Sequence, residues 1–218
     1  MIISLIGGTG NLGKGLAIRL ALIGHKVIVG SRELEKAESK ATEYNEILEK
    51  FGNGVKIKGL KNEEAAKIAE ISIFTVPWKY AFSTAEKLKE FLVKKIVISP
   101  IVPMEKMEDT FIFSPPPEGS AAEKLAEILK DSKVVSAFHN IPAKRFAKFN
   151  KKLELDVVVC SDHDNAKKVV MNLIDQIDGL RALDGGPLLT SRMVESITPL
   201  LLTIAARNDM KELSVRFV

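Results

Sequence analysis

Gly8, Gly10 and Gly13 stand at the spacing G-x-G-x-x-G within "IGGTGNLGKG", residues 6–15. Glycines so spaced, between an apolar strand and an opening helix, make a cradle for a phosphorylated ligand. The first permits a tight turn. The second lets a pyrophosphate approach the backbone, and the third lets helix meet strand. Thr9, Asn11 and Leu12 lie between them, where backbone amides and the positive end of the helix dipole face the anion. The apolar "MIISL" before the loop and the helical pattern after it make this a dinucleotide site rather than a bare turn.

The end of the next strand decides which dinucleotide. An NAD site places Asp or Glu there for the ribose hydroxyls. Here the strand ends "VGSR", with Ser31 and Arg32 and no acid at its end. A hydroxyl and a guanidinium fork suit a 2′-phosphate. Lys36 follows one turn on, expected on the same helix face as Arg32. Thr9 sits in the loop beside them. NADP is the cofactor expected.

Hydride chemistry asks little of acids and bases, because the cofactors carry the reaction and the protein aligns them. Its main requirement is an apolar, water-poor pocket that holds donor and acceptor about 3–3.5 Å apart. Pro77, Trp78, Pro100, Ile101, Val102, Ile141 and Pro142 follow expected strands at their carboxyl ends, where open α/β sheets bind ligands. His139 lies on the same rim, placed to hydrogen-bond an acceptor ring and relay a proton. Arg192, Ser196 and Thr198 fall within two turns of one helix. By themselves they read as a helix cap and solvated charge.

These residues are positioned by an alternation of strand-length apolar runs and helical patterns. Strands are expected at 2–7, 26–30, 55–60, 71–76, 95–100, 133–138, 156–160 and 180–184. Helices are expected at 11–24, 32–52, 62–70, 80–92, 124–130 and 165–177, with Gly24 as a stop and Ser120 to Glu123 as a capping box. "SPPPEG" (114–119) reads as an extended loop. The pattern implies an α/β fold with a doubly wound, mostly parallel Rossmann-type sheet. "DGGPL" (184–188) divides a dinucleotide-binding domain, 1–185, from a small C-terminal helical element, 186–218. A helix at 191–209 contains Pro199, which frees a carbonyl or bends the axis so as to aim Ser196 and Thr198 into the cleft.

The chain has 218 residues, 46% hydrophobic and 28% charged, which fits an ordinary soluble protein. Its formal net charge of +4 favours anionic partners, a polyphosphate cofactor or an acidic coenzyme serving as well as nucleic acid. The longest apolar run, "ITPLLLTIAA" (197–206), falls short of the roughly 20 residues a membrane helix needs. A strand that begins at Ile2 leaves no room for a signal peptide. The single cysteine, Cys160, excludes an intramolecular disulfide, reads as a buried strand residue and argues for a reducing cytosol. No metal site is expected: Asp162, His163 and Asp164 are adjacent and point apart, and read as a loop before a helix. "KRFAKFNKK" (144–152) reads as a surface helix that draws in an acidic tail, in preference to a nucleic-acid patch.

"IGGTGNLGKGLAIRLA", "VGSR", "TVPW", "HNIPAKRF", "DGGPL" and "SRMVESITPLLL" together, in order over nearly the whole chain, resemble the NADPH-dependent coenzyme F420 reductases. The cytosolic domain of six-transmembrane metalloreductases is a related look-alike. The resemblance implies reversible hydride transfer between NADP(H) and the 5-deazaflavin F420 by a cytoplasmic homodimer. It implies NADP contacts at Thr9, Gly10, Asn11, Leu12, Ser31, Arg32 and Lys36, and at the backbone of Val76, Val102 and Ala137. It implies a deazaflavin pocket of His139, Ile141, Arg192, Ser196, Thr198 and Leu213. Two other readings fit the residues alone: an NADPH-dependent flavin or ferric reductase, and a non-catalytic NADPH sensor that uses its basic face to hold a partner.

Overall fold

The structure is a computed structural model that describes residues 1–52, 54–150 and 152–218. Six parallel strands form one sheet: β1 (Ile2–Ile6), β2 (Lys26–Ser31), β3 (Lys58–Lys61), β4 (Ile71–Phe74), β5 (Ile96–Ser99) and, after a hairpin, β8 (Lys133–Ser136). Their order across the sheet is β3-β2-β1-β4-β5-β8. The chain builds outward from β1 to one side, then crosses to β4 and builds to the other. The crevice at that reversal, at the carboxyl ends of β1 and β4, is where such sheets take ligands.

The strands are continuous apolar runs because both faces are covered. On one face α1 (Asn11–Leu22), α2 (Leu34–Phe51) and α7 (Asp164–Asp175) pack around Leu16, Leu20, Tyr44, Leu48, Val170 and Leu173. On the other face α3 (Asn62–Ile68), α4 (Trp78–Leu88) and α5 (Ala121–Ile128) cover Ile6, Phe74 and Val97. Gly24, at φ +89°, ends α1 as expected. Ser120 caps α5, its Oγ accepting from the Glu123 amide at 3.1 Å.

Four features differ from the sequence expectation. First, β6 (Met104–Met107) and β7 (Thr110–Phe113) form an antiparallel hairpin whose turn holds Glu108 at φ +53°. A glutamate in the left-handed region is rare, so no Asn-Gly or Asp-Gly signal announced it.

Second, β9 (Leu155–Val159) and β10 (Leu180–Asp184) pair in parallel with each other and join the main sheet through one antiparallel bridge, Ser136 to Cys160. Among the described residues between β8 and β9 the only helix is the single turn α6 (Ala143–Phe146). A parallel return requires a longer crossover, so the chain comes back antiparallel.

Third, the described part of the expected surface helix at 144–152 is helical only as far as Phe146. Phe146 is fully buried where Gly15 leaves room for its ring, and Arg19 lies 4.8 Å from the ring centroids of both Phe146 and Phe149. Lys151 lies outside the described residues.

Fourth, a short helical turn, Leu188–Thr190, runs into α8 (Ser191–Arg207). Leu188–Arg207 thus reaches 20 residues, long and apolar enough to cross a membrane although its longest apolar run is shorter. Here it lies on the domain. Thr203 Oγ1 accepts from the Phe111 amide of β7 at 2.8 Å. Glu195, fully buried, takes the amides of Ala121 and Ala122 at the start of α5 at 2.8 and 3.0 Å. The tail beyond α8 is pinned to β9: Asp156, buried and gripped through both oxygens by Arg181, also accepts from the Phe217 amide.

Candidate functional site

The glycine loop follows β1 directly. Gly13 packs so closely on the Gly8 backbone that any side chain would overlap it, and a side chain at Gly8 would meet Leu5. Gly10 is different: a Cβ there meets nothing within 4 Å. Gly10 is the N-cap of α1, whose first turn carries neither a side-chain cap nor an acid. Unpartnered amides, a positive dipole end and open space in front of them form an anion cradle. Thr9, Gly10 and Asn11 line a recess there with Lys14, Lys40, Glu43 and Tyr44.

Three residues that the sequence does not advertise hold this loop. Tyr44 donates its hydroxyl to the Gly8 carbonyl at 3.2 Å, and burial raises its pKa. Asn62 Oδ1 accepts from the Gly7 amide at 3.1 Å. Glu43 draws Lys40 and Lys14 together at 2.6 and 3.1 Å, and these two lysines, Lys40 first, hold its carboxyl below the usual range. Tyr44 belongs to the apolar stripe of α2 with Ala37, Ala41 and Leu48. Its position was legible as core, but its reach to the loop was not.

Ser31 ends β2 buried, its Oγ accepting from the Glu33 amide at 3.3 Å. Arg32 and Lys36 are exposed at the same edge. Because α2 begins at Leu34, Arg32 precedes the helix, and the expected one-turn relation to Lys36 is not a helical one. Past β4, Val76 packs against Gly7 so tightly that Gly7 has no room for a side chain, and Pro77 stands exposed as the N-cap of α4. Past β5, Val102 is nearly buried. Past β8, Ala137 is buried and its amide donates to the Ser99 carbonyl at 3.1 Å. Three steps of the sheet separate β1 from β8, about 14 Å. The glycine loop and the β8 rim thus face one crevice along the same sheet edge.

Beyond β8 the chain turns through Phe138 at φ +69°, a strained conformation for a non-glycine residue. It then enters the wall of a mostly apolar cavity of about 380 Å³. His139, Ile141, Thr198 and Leu213 meet there, with Leu201, Leu202 and Ala205 of α8. Helix α8 is locked to that wall by Thr198, which donates to the His139 carbonyl at 2.8 Å.

His139 is only 5% exposed, with Nε2 3.2 Å from Ser136 Oγ and no hydrogen-bond partner for Nδ1 among the described residues. Burial, opposed by the Ser99 backbone, pushes the ring down to about 3. It is therefore a neutral imidazole near pH 7. In that form one ring nitrogen can donate a hydrogen bond and the other accept one.

Arg192 and Ser196 are not brought to this cavity. The Arg192 guanidinium grips Glu123 at 2.7 and 2.8 Å and the Glu118 carbonyl at 2.8 Å. Ser196 donates to the Met193 carbonyl of its own helix. Of the two hydroxyl residues flanking Pro199 on its N-terminal side, Thr198 lines the cavity and Ser196 does not. Cys160 is free and buried, as expected, with its thiol raised to about 11 by burial. Gly185 of "DGGPL" is required there because a side chain would meet Cys160 Sγ. Asp162 accepts from the Leu188 amide at 2.9 Å and so anchors the start of the C-terminal helix.

The family model described as "NADP oxidoreductase coenzyme F420-dependent" matches residues 2–103. The chain is 43% identical to the F420-dependent NADP reductase of Methanocaldococcus jannaschii, covering 99% of this chain and 97% of that one. It is 39% identical to the reductase of the same name from Methanothermobacter marburgensis, with the same coverage. A solved structure from Arthrobacter sp. FB24, provisionally assigned as an F420-dependent NADP reductase, superposes with a TM-score of 0.82 over 100% of this chain and 98% of that one at 19% identity. Matched over its full length and at this identity, the chain belongs to the F420-dependent NADP reductase family.

Proposed function

We propose that the enzyme holds NADP along the carboxyl edge of β1, β4 and β5 and coenzyme F420 in the cavity between the β8 rim and α8, so that their rings meet near His139 and Ile141. When bound, the two coenzymes supply the hydride donor and the hydride acceptor. The observation that carries the placement is the pairing of two unlike spaces on one sheet edge: an uncapped amide cradle at Gly10 and an apolar cavity at Thr198.

In this reading the α1 amides and Lys14 hold the pyrophosphate. Ser31, Arg32 and Lys36 hold the 2′-phosphate, and Val76, Pro77, Val102 and the Ala137 carbonyl position the nicotinamide. Ile141, Leu201, Leu202 and Leu213 exclude water from the meeting point. The neutral His139 orients the deazaflavin by a hydrogen bond, and Arg192 positions α8 through Glu123. The C-terminal segment 186–218 thus completes the pocket without forming a separate lobe of the site. Cytoplasmic residence is supported by the free cysteine.

Reduction of F420 by NADPH, followed by deazaflavin absorbance, tests the assignment against free flavins and ferric chelates as acceptors. F420 is expected to turn over fastest. Charge-assisted hydrogen bonds contribute roughly 1.5–3 kcal/mol each, so Arg32→Ala is expected to raise the NADPH KM about tenfold or more and leave NADH nearly unchanged. Equal losses for both nucleotides would remove Arg32 from the 2′-phosphate site.

The homodimer reading is supported by α8. Met193, Leu200 and Ile204, spaced seven and four residues apart along one stripe, are 66%, 58% and 38% exposed. A stripe of this kind fits a second copy of the same chain. Sedimentation velocity is expected to give a dimer that Leu200→Glu dissociates; a monomeric wild type would remove this reading.

A further inference from the structure

Tyr80, in the first turn of α4, is 55% exposed while its helix buries Ala81 and Ala85. The core has no need of that ring. Arg32 needs it: the guanidinium carbon lies 5.7 Å from the Tyr80 ring centroid. Strands β2 and β4 flank β1 in the sheet. Arg32 from the end of β2 and Tyr80 from the start of α4 therefore reach toward each other across the glycine loop, spanning two strand steps of about 10 Å in all.

We propose that Tyr80 and Arg32 are the two walls of a slot for the adenine ring of NADP, with Tyr80 providing the fixed stacking face. The inference rests on the NADP placement above and extends it to a residue that neither the glycine pattern nor "VGSR" contains. A planar base between two planar groups sits about 3.5 Å from each, so the walls must stand about 7 Å apart. The present separation is short of that by little more than 1 Å, and Arg32 is an exposed, flexible side chain free to give it. A guanidinium presents different faces to different groups: its plane stacks, while its edge donates to phosphate oxygens. Arg32 therefore serves the adenine and the 2′-phosphate together. Without nucleotide, the cation–π contact holds Arg32 over the slot.

The test compares wild type, Tyr80→Phe and Tyr80→Ala. Adenosine 2′,5′-bisphosphate is titrated by calorimetry, and KM and kcat are measured with NADPH and with reduced nicotinamide mononucleotide, which lacks the adenosine. Stacking on one aromatic ring is of order tenfold per base. Tyr80→Phe is expected to bind as wild type. Tyr80→Ala is expected to bind the bisphosphate about tenfold more weakly and to raise the NADPH KM to match, with kcat and the mononucleotide KM unchanged. Unchanged bisphosphate affinity in Tyr80→Ala would overturn the slot while leaving the NADP placement to the Arg32→Ala result. An equal loss with the mononucleotide would overturn it by showing that Tyr80 acts through the position of α4. A wild type that fails to bind the bisphosphate would overturn slot and placement together.

Discussion

Gly10→Ala is expected to fold as the wild type does and to bind NADPH about a hundredfold more weakly. The two halves of that result have separate causes. Gly10 has φ −95° and ψ −176°, a backbone any residue adopts, and its missing side chain faces open space. A methyl group there meets no other atom, and the change from glycine to alanine at the N-cap of α1 costs the fold only about 1 kcal/mol. It does stand in front of the α1 amides where the pyrophosphate must close on the backbone. Loss of two charge-assisted hydrogen bonds, of roughly 1.5–3 kcal/mol each, corresponds to about a hundredfold or more in affinity. Gly13→Ala is the contrast. Its methyl overlaps the Gly8 backbone, so it lowers the melting temperature as well. Calorimetric titration of NADPH beside thermal melts of both variants separates the two effects. A Gly10→Ala protein that binds NADPH normally would show that the open space at Gly10 is not where the cofactor lies.

Glu195 carries the largest expected effect on stability. Its carboxyl group is fully buried and receives two amides at the start of α5. Glu195→Ala leaves both amides buried without an acceptor, at about 1–3 kcal/mol each, and opens a cavity besides. A loss of about 3–5 kcal/mol in a chain of this length lowers the melting temperature by about 10 °C.

The same residue sets a pH dependence. Burial raises the Glu195 pKa to about 8, outweighing the two amides that oppose the rise. A carboxyl whose folded pKa lies above its unfolded value binds its proton more tightly in the native state. Its contribution is full below the unfolded value near pH 4.5 and is lost as pH rises through about 8. Glu195→Gln cannot titrate. Its stability is expected to lack the decline that wild type shows between about pH 5 and 8, in urea melts taken across that range. Identical slopes in the two proteins would mean that the carboxyl stays in one ionisation state throughout.

Much of the fold was legible because the rules that govern it are local. A parallel strand buried on both faces must be an apolar run, as in "ISIFTV". A dinucleotide loop must place glycine where backbone meets backbone, as at Gly13, and, in the proposed placement, where ligand meets backbone, as at Gly10. The absence of an acid after Val29-Gly30 separates NADP from NAD by charge alone. Sequence by itself therefore determined the alternating α/β order, the cradle, the cofactor and, through motifs in matching order, the family.

Tertiary structure decided what depends on distance across the fold. Whether Glu195 caps a helix 74 residues away, or Tyr44 reaches the Gly8 carbonyl 36 residues back, leaves no trace in spacing, since partners of that kind are adjacent only after folding. Arg192 and Thr198 looked equivalent as polar residues on one helix. Packing sent one to Glu123 and the other to the His139 carbonyl. His139 looked like a titrating relay because its ordinary pKa lies near neutrality. Burial, which no single residue type declares, made it a neutral ring.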